Sequence, residues 1–296
     1  MSPPESLLRA GEIARKIRSQ VPNLVSPGAS LLEVAEKIEN MIRDMGGLPA
    51  FPCNISIDAV AAHYSPAPGD STVLSKNFVA KIDFGVLVDG YIADTAVTVT
   101  DTPVGEMLKT AVEEALKAAV KTVAAGVKVS TVAAVIQTVL TRYGLKPIRN
   151  LTGHEIQPYN LHAGVSIPNV AVRDGVKLLE SHVYAIEPFA TVAEGAGEVV
   201  DVRMPTIYRL EKAIPPKKLA DEETRLLNII SERFKTLPYS LRWLQDLDPE
   251  TLKIHERLVR MGRLKSYPML VEKSEKPVAQ AEHTVFVTRE GCVVIT

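Results

Sequence analysis

The chain has 296 residues, with 34 Lys+Arg against 35 Asp+Glu and a formal charge of −1. That balance argues against a chain built to coat nucleic acid or an anionic membrane, which needs excess positive charge. Apolar residues form 46% of the chain, enough for a large core and against wholesale disorder, and no run of 18 or more apolar residues marks a membrane-spanning helix.

Met1 to Ala10 carries Glu5 and Arg9 and lacks an apolar h-region, so no signal peptide is expected. Leu7, Leu8, Ile13 and Ile17 then recur at spacings that can share one helical face. Ser30-Leu31-Leu32-Glu33 fits a capping box, in which the serine hydroxyl and the glutamate satisfy free amides at a helix start. Leu31, Val34, Ala35, Ile38 and Ile42 follow on one face, and Gly46-Gly47 stops the helix. Residues 50–65, broken by Pro52 and Pro66, read as loop and short strand. Residues 78–99 alternate apolar and polar side chains around Asp89-Gly90, the signature of a tight β-hairpin.

A longer helix is expected at about 105–125, with a stripe through Leu108, Val112, Leu116, Val120 and Val123 and a stop at Gly126. Ser130 is read as the cap of the next helix, which carries Val132, Val135, Ile136, Val139 and Leu140 and closes at Gly144. Strand-like runs follow at 151–170, 182–192 and 198–210. The composition shifts after Arg209. Pro215-Pro216 breaks the chain, residues 218–237 and 249–262 are charged amphipathic helices, and Pro268 to Val271 reads as a short strand. Val278 to Thr288 alternates again as one final strand. The halves thus repeat an element order around an insert, which predicts a pseudo-symmetric α+β architecture. The two cysteines, Cys53 and Cys292, make no CxxC metal site. They read as two thiols in a reducing cytoplasm, with one disulfide as the other option. No aromatic residues are interleaved with basic ones, which leaves a base-stacking surface little support.

The chemistry begins in the hairpin. If Asp89-Gly90 is its two-residue loop, Val88 pairs with Tyr91 and Asp94 lies opposite Gly85. Asp83 is then a diagonal neighbour of Asp94 on the same face, roughly 7–8 Å away at Cα. Gly85 is expected to leave open space opposite Asp94. Two bare carboxylates among Ile82, Phe84, Ile92 and Ala93 repel each other and lose hydration, and a divalent cation removes both penalties. On this pair alone a polar sheet face is the simpler reading. Glu187, in Val183-Tyr-Ala-Ile-Glu187, and Glu282, in Val278-Ala-Gln-Ala-Glu282, read as further mid-strand acids in apolar runs, where an isolated charge is costly. His154, after Gly153, supplies a neutral nitrogen. The set Asp83, Asp94, His154, Glu187 and Glu282 carries four negative charges, which two divalent ions balance. Such oxygen-rich ligands suit Mn²⁺, Fe²⁺, Co²⁺ or Zn²⁺. His63 and His162 stand in glycine- and proline-marked contexts. His182, His255 and His283 are assigned structural places, His283 because it follows Glu282 and points to the other face.

Five blocks in order carry a resemblance. They are Phe51-Pro-Cys-Asn-Ile-Ser-Ile through Ala-Ala-His63-Tyr-Ser-Pro, Lys81-Ile-Asp83-Phe-Gly through Asp94-Thr-Ala, Leu151-Thr-Gly-His154 through Leu161-His162-Ala-Gly, Ala185-Ile-Glu187-Pro, and Ala281-Glu282-His283-Thr. In these the chain resembles, over essentially its whole length, the type 2 methionine aminopeptidases of the archaeal kind, within the pita-bread metallopeptidase family. The resemblance implies a pita-bread fold of two pseudo-symmetric halves at 1–210 and 277–296, with antiparallel sheet covered by helices. A helical, winged-helix-like insert occupies 211–276. It implies that Asp94 and Glu282 bridge two metals, that Asp83 completes one site and that His154 with Glu187 completes the other. Glu187 is the implied proton carrier, His63 and His162 hydrogen-bond the peptide at the scissile bond, and Phe51 and Leu161 line the pocket for the methionine side chain.

The implied reaction is release of Met from cytoplasmic nascent chains and peptides with a small second residue. Contact of the insert with a ribosome is a further option, its charges otherwise reading as a solvated face. One alternative is an X-Pro dipeptidase or aminopeptidase P-like hydrolase. Such relatives carry an N-terminal domain for which the early position of His63 leaves no room. A non-catalytic pita-bread binding protein is the other, and there loss of metal ligands is expected.

Overall fold

A computed structural model describes residues 2–211 and 219–296, so Pro215-Pro216 lie outside the described residues. Helix α1 (Glu5–Arg18) and a single turn, α2 (Val21–Leu24), lead to α3 (Leu31–Asp44), β1 (Leu48–Ile57), β2 (Val60–Ala62) and the hairpin β3 (Val79–Val88) and β4 (Tyr91–Thr100). The second half opens with α4 (Pro103–Val120) and α5 (Val129–Arg142). Strands β5 (Lys146–Pro147), β6 (Thr152–Ile156), β7 (Ser166–Pro168), β8 (Val183–Ile186) and β9 (Phe189–Thr191) follow, then the long β10 (Val199–Leu210). Next come α6 (Asp221–Phe234), β11 (Tyr239–Ser240), a 3-10 turn at Leu241–Leu244 and α7 (Pro249–Arg260). The chain ends with β12 (Leu264–Glu272), β13 (Val278–Gln280), β14 (His283–Val287) and β15 (Cys292–Val294).

The hairpin forms in the expected register. Asp89 and Gly90 both take positive φ, 47° and 90°, as a two-residue turn of this hand requires. Val88 pairs with Tyr91 and Gly85 with Asp94. Ser30 caps α3 by accepting from Glu33 N at 3.4 Å. Other expectations are corrected. Leu8 is 41% exposed while Leu7, Ile13 and Ile17 are buried, because Leu8 sits about 100° round the helix from Leu7. Residues 48–57 form one strand in spite of Pro52, since the register shifts between Phe51 and Asn54 and spares the proline a ladder bond. Helix α4 ends at Val120, before Gly126, and α5 starts on Lys128 without a side-chain cap, so Ser130 lies inside its first turn. The short strand read at 268–271 is the end of the longer β12. Both cysteines are free thiols.

Two cores mirror each other. In the first, α1 and α3 cover the sheet β1-β3-β4 through Leu7, Ile17, Ile38, Ile42, Ile82 and Phe84. In the second, α4 and α5 cover β13 and the sheet β15-β14-β8-β6-β7 through Leu108, Leu116, Ile136, Leu140, Tyr184 and Val285. This is the pita-bread arrangement of helices over antiparallel strands. Helices α6 and α7 enclose a smaller core of their own, with Leu226, Ile230, Leu258 and Leu264. Strand β12 leaves that core to pair with β10 and then with β2 in the first half.

Strand β6 is held to β8 so closely that a Cβ on Gly153 meets Ala185 O at 2.3 Å. Overpacking of this kind costs about 1–3 kcal/mol. Gly153→Ala is therefore expected to lower the guanidinium midpoint with an unchanged slope. An unaltered midpoint would mean the two strands part at no cost.

Candidate metal centre

The two halves meet along a seam of threonines. Thr284 Oγ1 accepts from Asp94 N at 2.7 Å and donates to Asp94 O at 2.8 Å. Thr95 Oγ1 donates to Glu282 O at 3.1 Å, and Thr98 Oγ1 donates to Gln280 O at 2.7 Å while accepting from Gln280 N at 3.0 Å. The backbone adds Glu282 N to Ala96 O at 3.1 Å. Behind the seam, Arg18 donates to Thr95 Oγ1, to Ala96 O at 2.8 Å and to Glu282 O at 3.0 Å. Asp94 in the first half and Glu282 in the second are thereby set at one depth.

The run at 278–288 is two strands, because the chain breaks at Ala281-Glu282 between β13 and β14. Glu187 stands in the equivalent break between β8 and β9. Neither acid is mid-strand, as the alternating pattern had suggested. Both breaks lie in the second half, and each releases the local backbone from the ladder and lets a carboxylate turn inward.

Asp94, His154 and Glu282 are buried and offer ligand atoms within 4.8 Å of one another. His154 Nε2 lies 3.7 Å from Asp94 Oδ2 and 3.5 Å from Glu187 Oε1, too far for strong hydrogen bonds and suited to ligands sharing an ion. Asp83 lines the same cavity, and Gln280 Nε2 donates to Glu187 Oε2 at 3.2 Å and Glu282 Oε2 at 3.4 Å. Burial raises all four carboxyls. Asp83 is pushed up to about 7. Asp94, Glu187 and Glu282 are held well above the usual carboxylate range, by burial first and then by neighbouring acids, Asp83 for Asp94, Asp94 and Asp83 for Glu187, and Asp94, Glu187 and Asp83 for Glu282. Burial, then His162, lowers His154 to about 3, so its imidazole is neutral and free to ligate. Asp83 Oδ1, Asp94 Oδ1 and Glu282 Oε1 are buried without a hydrogen-bond partner. Four crowded acids with orphaned oxygens and one neutral imidazole form a donor set that fits divalent cations.

The cavity above this set has a volume of about 290 Å³. Its lining includes every residue singled out from the sequence: Phe51, His63, Asp83, Asp94, His154, Leu161, His162, Glu187 and Glu282. His63 adopts a left-handed backbone, φ 64°, and its Nδ1 lies 3.2 Å from Pro268 O. The His162 ring stands 4.3 Å from that of His154, and burial together with His63 and Arg209 brings it to about 4. Gly85 does not leave open space. The Phe51 ring fills it, 2.4 Å from where a Cβ would stand. His182 has a partner after all, Glu155 Oε1 at 2.7 Å from its Nδ1. His255 bonds the Tyr239 hydroxyl at 2.9 Å and His283 faces Thr296 Oγ1 at 3.1 Å, both away from the acids.

Sequence reasoning missed several residues here. Gln280 alternates with Glu282 along the chain, and that spacing could have revealed it. Ile207, Pro238, Tyr267 and Leu270 also line the cavity, and they come from β10 and from the segment beyond it. Their approach depends on β12 crossing to β2, which no local pattern encodes.

A sequence pattern of metallopeptidase family M24 matches residues 5–289. The methionine aminopeptidase of Thermococcus kodakarensis is 46% identical over 295 residues, 99% of this chain and 99% of that one. Among solved structures, a thermophilic Arx1 superposes with a TM-score of 0.83 at 18% identity, covering 99% of this chain and 91% of that one. A methionine aminopeptidase from Thermotoga maritima superposes at 0.71 and 19% identity, covering 100% and 98%. At such identities the two superpositions speak for the fold.

The shifts set the sign of a pH effect in metal-free protein. A carboxyl raised on folding contributes stability that is complete below its unfolded value, about 4, and is lost as pH climbs through its folded value. Asp83 crosses near pH 7, and Asp94, Glu187 and Glu282 are raised in the same direction. The lowered histidines oppose this only below about pH 6.5. Lys81, brought by burial to about 7, opposes it above that. The melting temperature of chelated protein should therefore fall between about pH 6.5 and 7.5, through the Asp83 value, and added Mn²⁺ should abolish the fall. A rise over that interval in chelated protein would contradict the acid cluster.

Proposed function

The chain belongs to metallopeptidase family M24, and from that premise we propose that Asp83, Asp94, His154, Glu187 and Glu282 hold two divalent ions. The protein is a hydrolase that removes the N-terminal methionine from peptides and nascent proteins, as its near full-length likeness to methionine aminopeptidases supports. The observation that carries the site reading is the buried cage of four acids and one neutral imidazole at the floor of a cavity large enough for a methionine side chain. Divalent ions, when bound there, acidify water and polarise a carbonyl. Asp94 and Glu282, joined across the seam, would serve both ions, with Asp83 serving one and His154 with Glu187 the other.

The remaining steps belong to the chain's own side chains. His63 meets the carbonyl of Pro268 with Nδ1, and burial keeps the ring neutral, so Nδ1 carries the hydrogen and Nε2 is left as an acceptor. In that state His63 receives a hydrogen bond from the N–H at the scissile bond. This differs from a purely oxyanion-stabilising part, which needs a donor. His162 is the partner on the carbonyl side. Glu187, whose carboxyl is raised and held by Gln280, carries the proton from water to the leaving amine. Phe51 and Leu161, with Ile207, Tyr267 and Leu270, exclude water around the methionine side chain. We place the substrates among cytoplasmic chains with a small second residue, and the free thiols Cys53 and Cys292 fit a reducing compartment.

The test is hydrolysis of Met-Ala-Ser, Leu-Ala-Ser and Ala-Pro after chelation and separate reloading with Mn²⁺, Fe²⁺, Co²⁺ or Zn²⁺. Metal-dependent release of Met from the first alone is expected. Cleavage of Ala-Pro would keep the cage and overturn the specificity, and two bound ions without hydrolysis would point to a binding protein. Glu282→Ala should abolish activity, and His63→Ala should lower kcat/KM by about tenfold, the loss of one hydrogen bond to the substrate. A Glu282→Ala variant of parental activity would end the cage reading.

A further inference from the structure

A buried ion pair outside the metal cage ties the inserted segment to the first half. Arg242, in the turn Leu241–Leu244, donates to both oxygens of Glu39 on α3, Nη1 to Oε2 at 2.8 Å and Nη2 to Oε1 at 2.7 Å. Both side chains are 2% exposed. Glu39 also accepts from Trp243 Nε1 at 2.7 Å and from Cys53 N at 3.0 Å, two residues beyond Phe51 in β1. The guanidinium has donors to spare. Nε reaches Pro66 O at 2.7 Å and Nη2 reaches Ser65 Oγ at 3.0 Å. Those two residues close the loop that begins at His63.

That loop needs restraint. A left-handed backbone at a residue with a Cβ persists only where its surroundings over-determine it. Before His63, Ala62 pairs with Leu270 of β12. After it, Tyr64 O accepts from Ile55 N at 2.8 Å, and Ser65 N donates to Thr206 Oγ1 at 3.3 Å. Arg242 fixes the next two positions. A well-packed apolar pair would serve stability as well as a buried ion pair of this kind. What the fork supplies beyond that is direction, because its planar donors fix two acceptors at once.

We propose that Arg242, anchored by Glu39, is a positioning residue for the reaction, holding the Ser65-Pro66 segment so that His63 keeps its left-handed backbone and meets the substrate at the right distance. The inference rests on the reading of His63 given above. It assigns the inserted segment a part in catalysis through the first half's histidine, in addition to its lining of the cavity.

The test is a double-mutant cycle on the full chain loaded with Mn²⁺, with Met-Ala-Ser as substrate. Arg242→Lys keeps a cation beside Glu39 and loses the fork. It should lower kcat by up to about tenfold, within the range a misplaced group costs, while KM and the metal bound per chain stay near parental. In the His63→Ala background the same change should alter kcat/KM less than about twofold, since residues acting through one another are not additive. Ser65→Ala, which leaves the ion pair intact, should show the same dependence on His63 with a smaller loss, and it serves if Arg242→Lys does not fold. Equal losses from Arg242→Lys and Ser65→Ala with and without His63, or an unchanged kcat, would overturn the proposal and leave His63 its part. Parental activity in His63→Ala itself would remove the premise, and the proposal with it.

Discussion

Four carboxylates, Asp83, Asp94, Glu187 and Glu282, face one another in a space too dry to screen them. Burial raises every one of them, and the charge of neighbouring acids adds to the rise of Asp94, Glu187 and Glu282. No packing gain within a sheet offsets an arrangement like this by itself, so the surrounding structure works to keep it together. The threonine hydroxyls of β4 and β14 bond the backbone of the opposite half, Gln280 spans two of the acids, and Arg18 places a partly buried cation behind Glu282. Each contact fixes the position of a carboxylate without neutralising it. The negative charge is left for cations to answer.

The pseudo-symmetry serves the same end. Each half contributes helices over an antiparallel sheet and a pair of acids, Asp83 and Asp94 on the hairpin of the first and Glu187 and Glu282 at two strand breaks in the second. Duplicate architecture brings the two pairs of acids to one cavity, where His63 and His162 join them from loops that differ between the halves. The segment between β10 and β13 then adds the walls. Its small core is self-contained, yet β12 leaves it to reach β2, and Tyr267 and Leu270 arrive at the cavity on that strand.

The local rules of the chain were readable. Asp89-Gly90 determined a hairpin register down to the pairing of Gly85 with Asp94, because a two-residue loop leaves no freedom of alignment. Five acidic and imidazole positions stood out because charge in an apolar run needs a reason. What escaped depends on partners far along the chain. Gly85 seemed to leave a gap, but the gap belongs to Phe51, brought by a different strand. The alternation through 278–288 hid a break, since Ala281 and Glu282 keep the pattern while leaving the ladder. Ser130 looked like a cap, yet the bridge from Lys128 to Lys177 starts the helix before it. The contact of Arg242 with Glu39 joins residues 203 positions apart and has no signature in either neighbourhood.

The seam has a consequence for how the protein comes into being. Asp94 and Thr284 are 190 positions apart, and their mutual hydrogen bonds set the cage. A chain still being synthesised, with its first half already out of the ribosome, can close the hairpin and bury α1 and α3, but β4 then presents Asp94 and its threonines to no partner. Long-range pairing of this kind comes late in folding, because the loop it closes is large. The cluster is therefore among the last features to form, and a chain that stops before Glu282 holds Asp83, Asp94, His154 and Glu187 with no Thr284 to close the seam against Asp94.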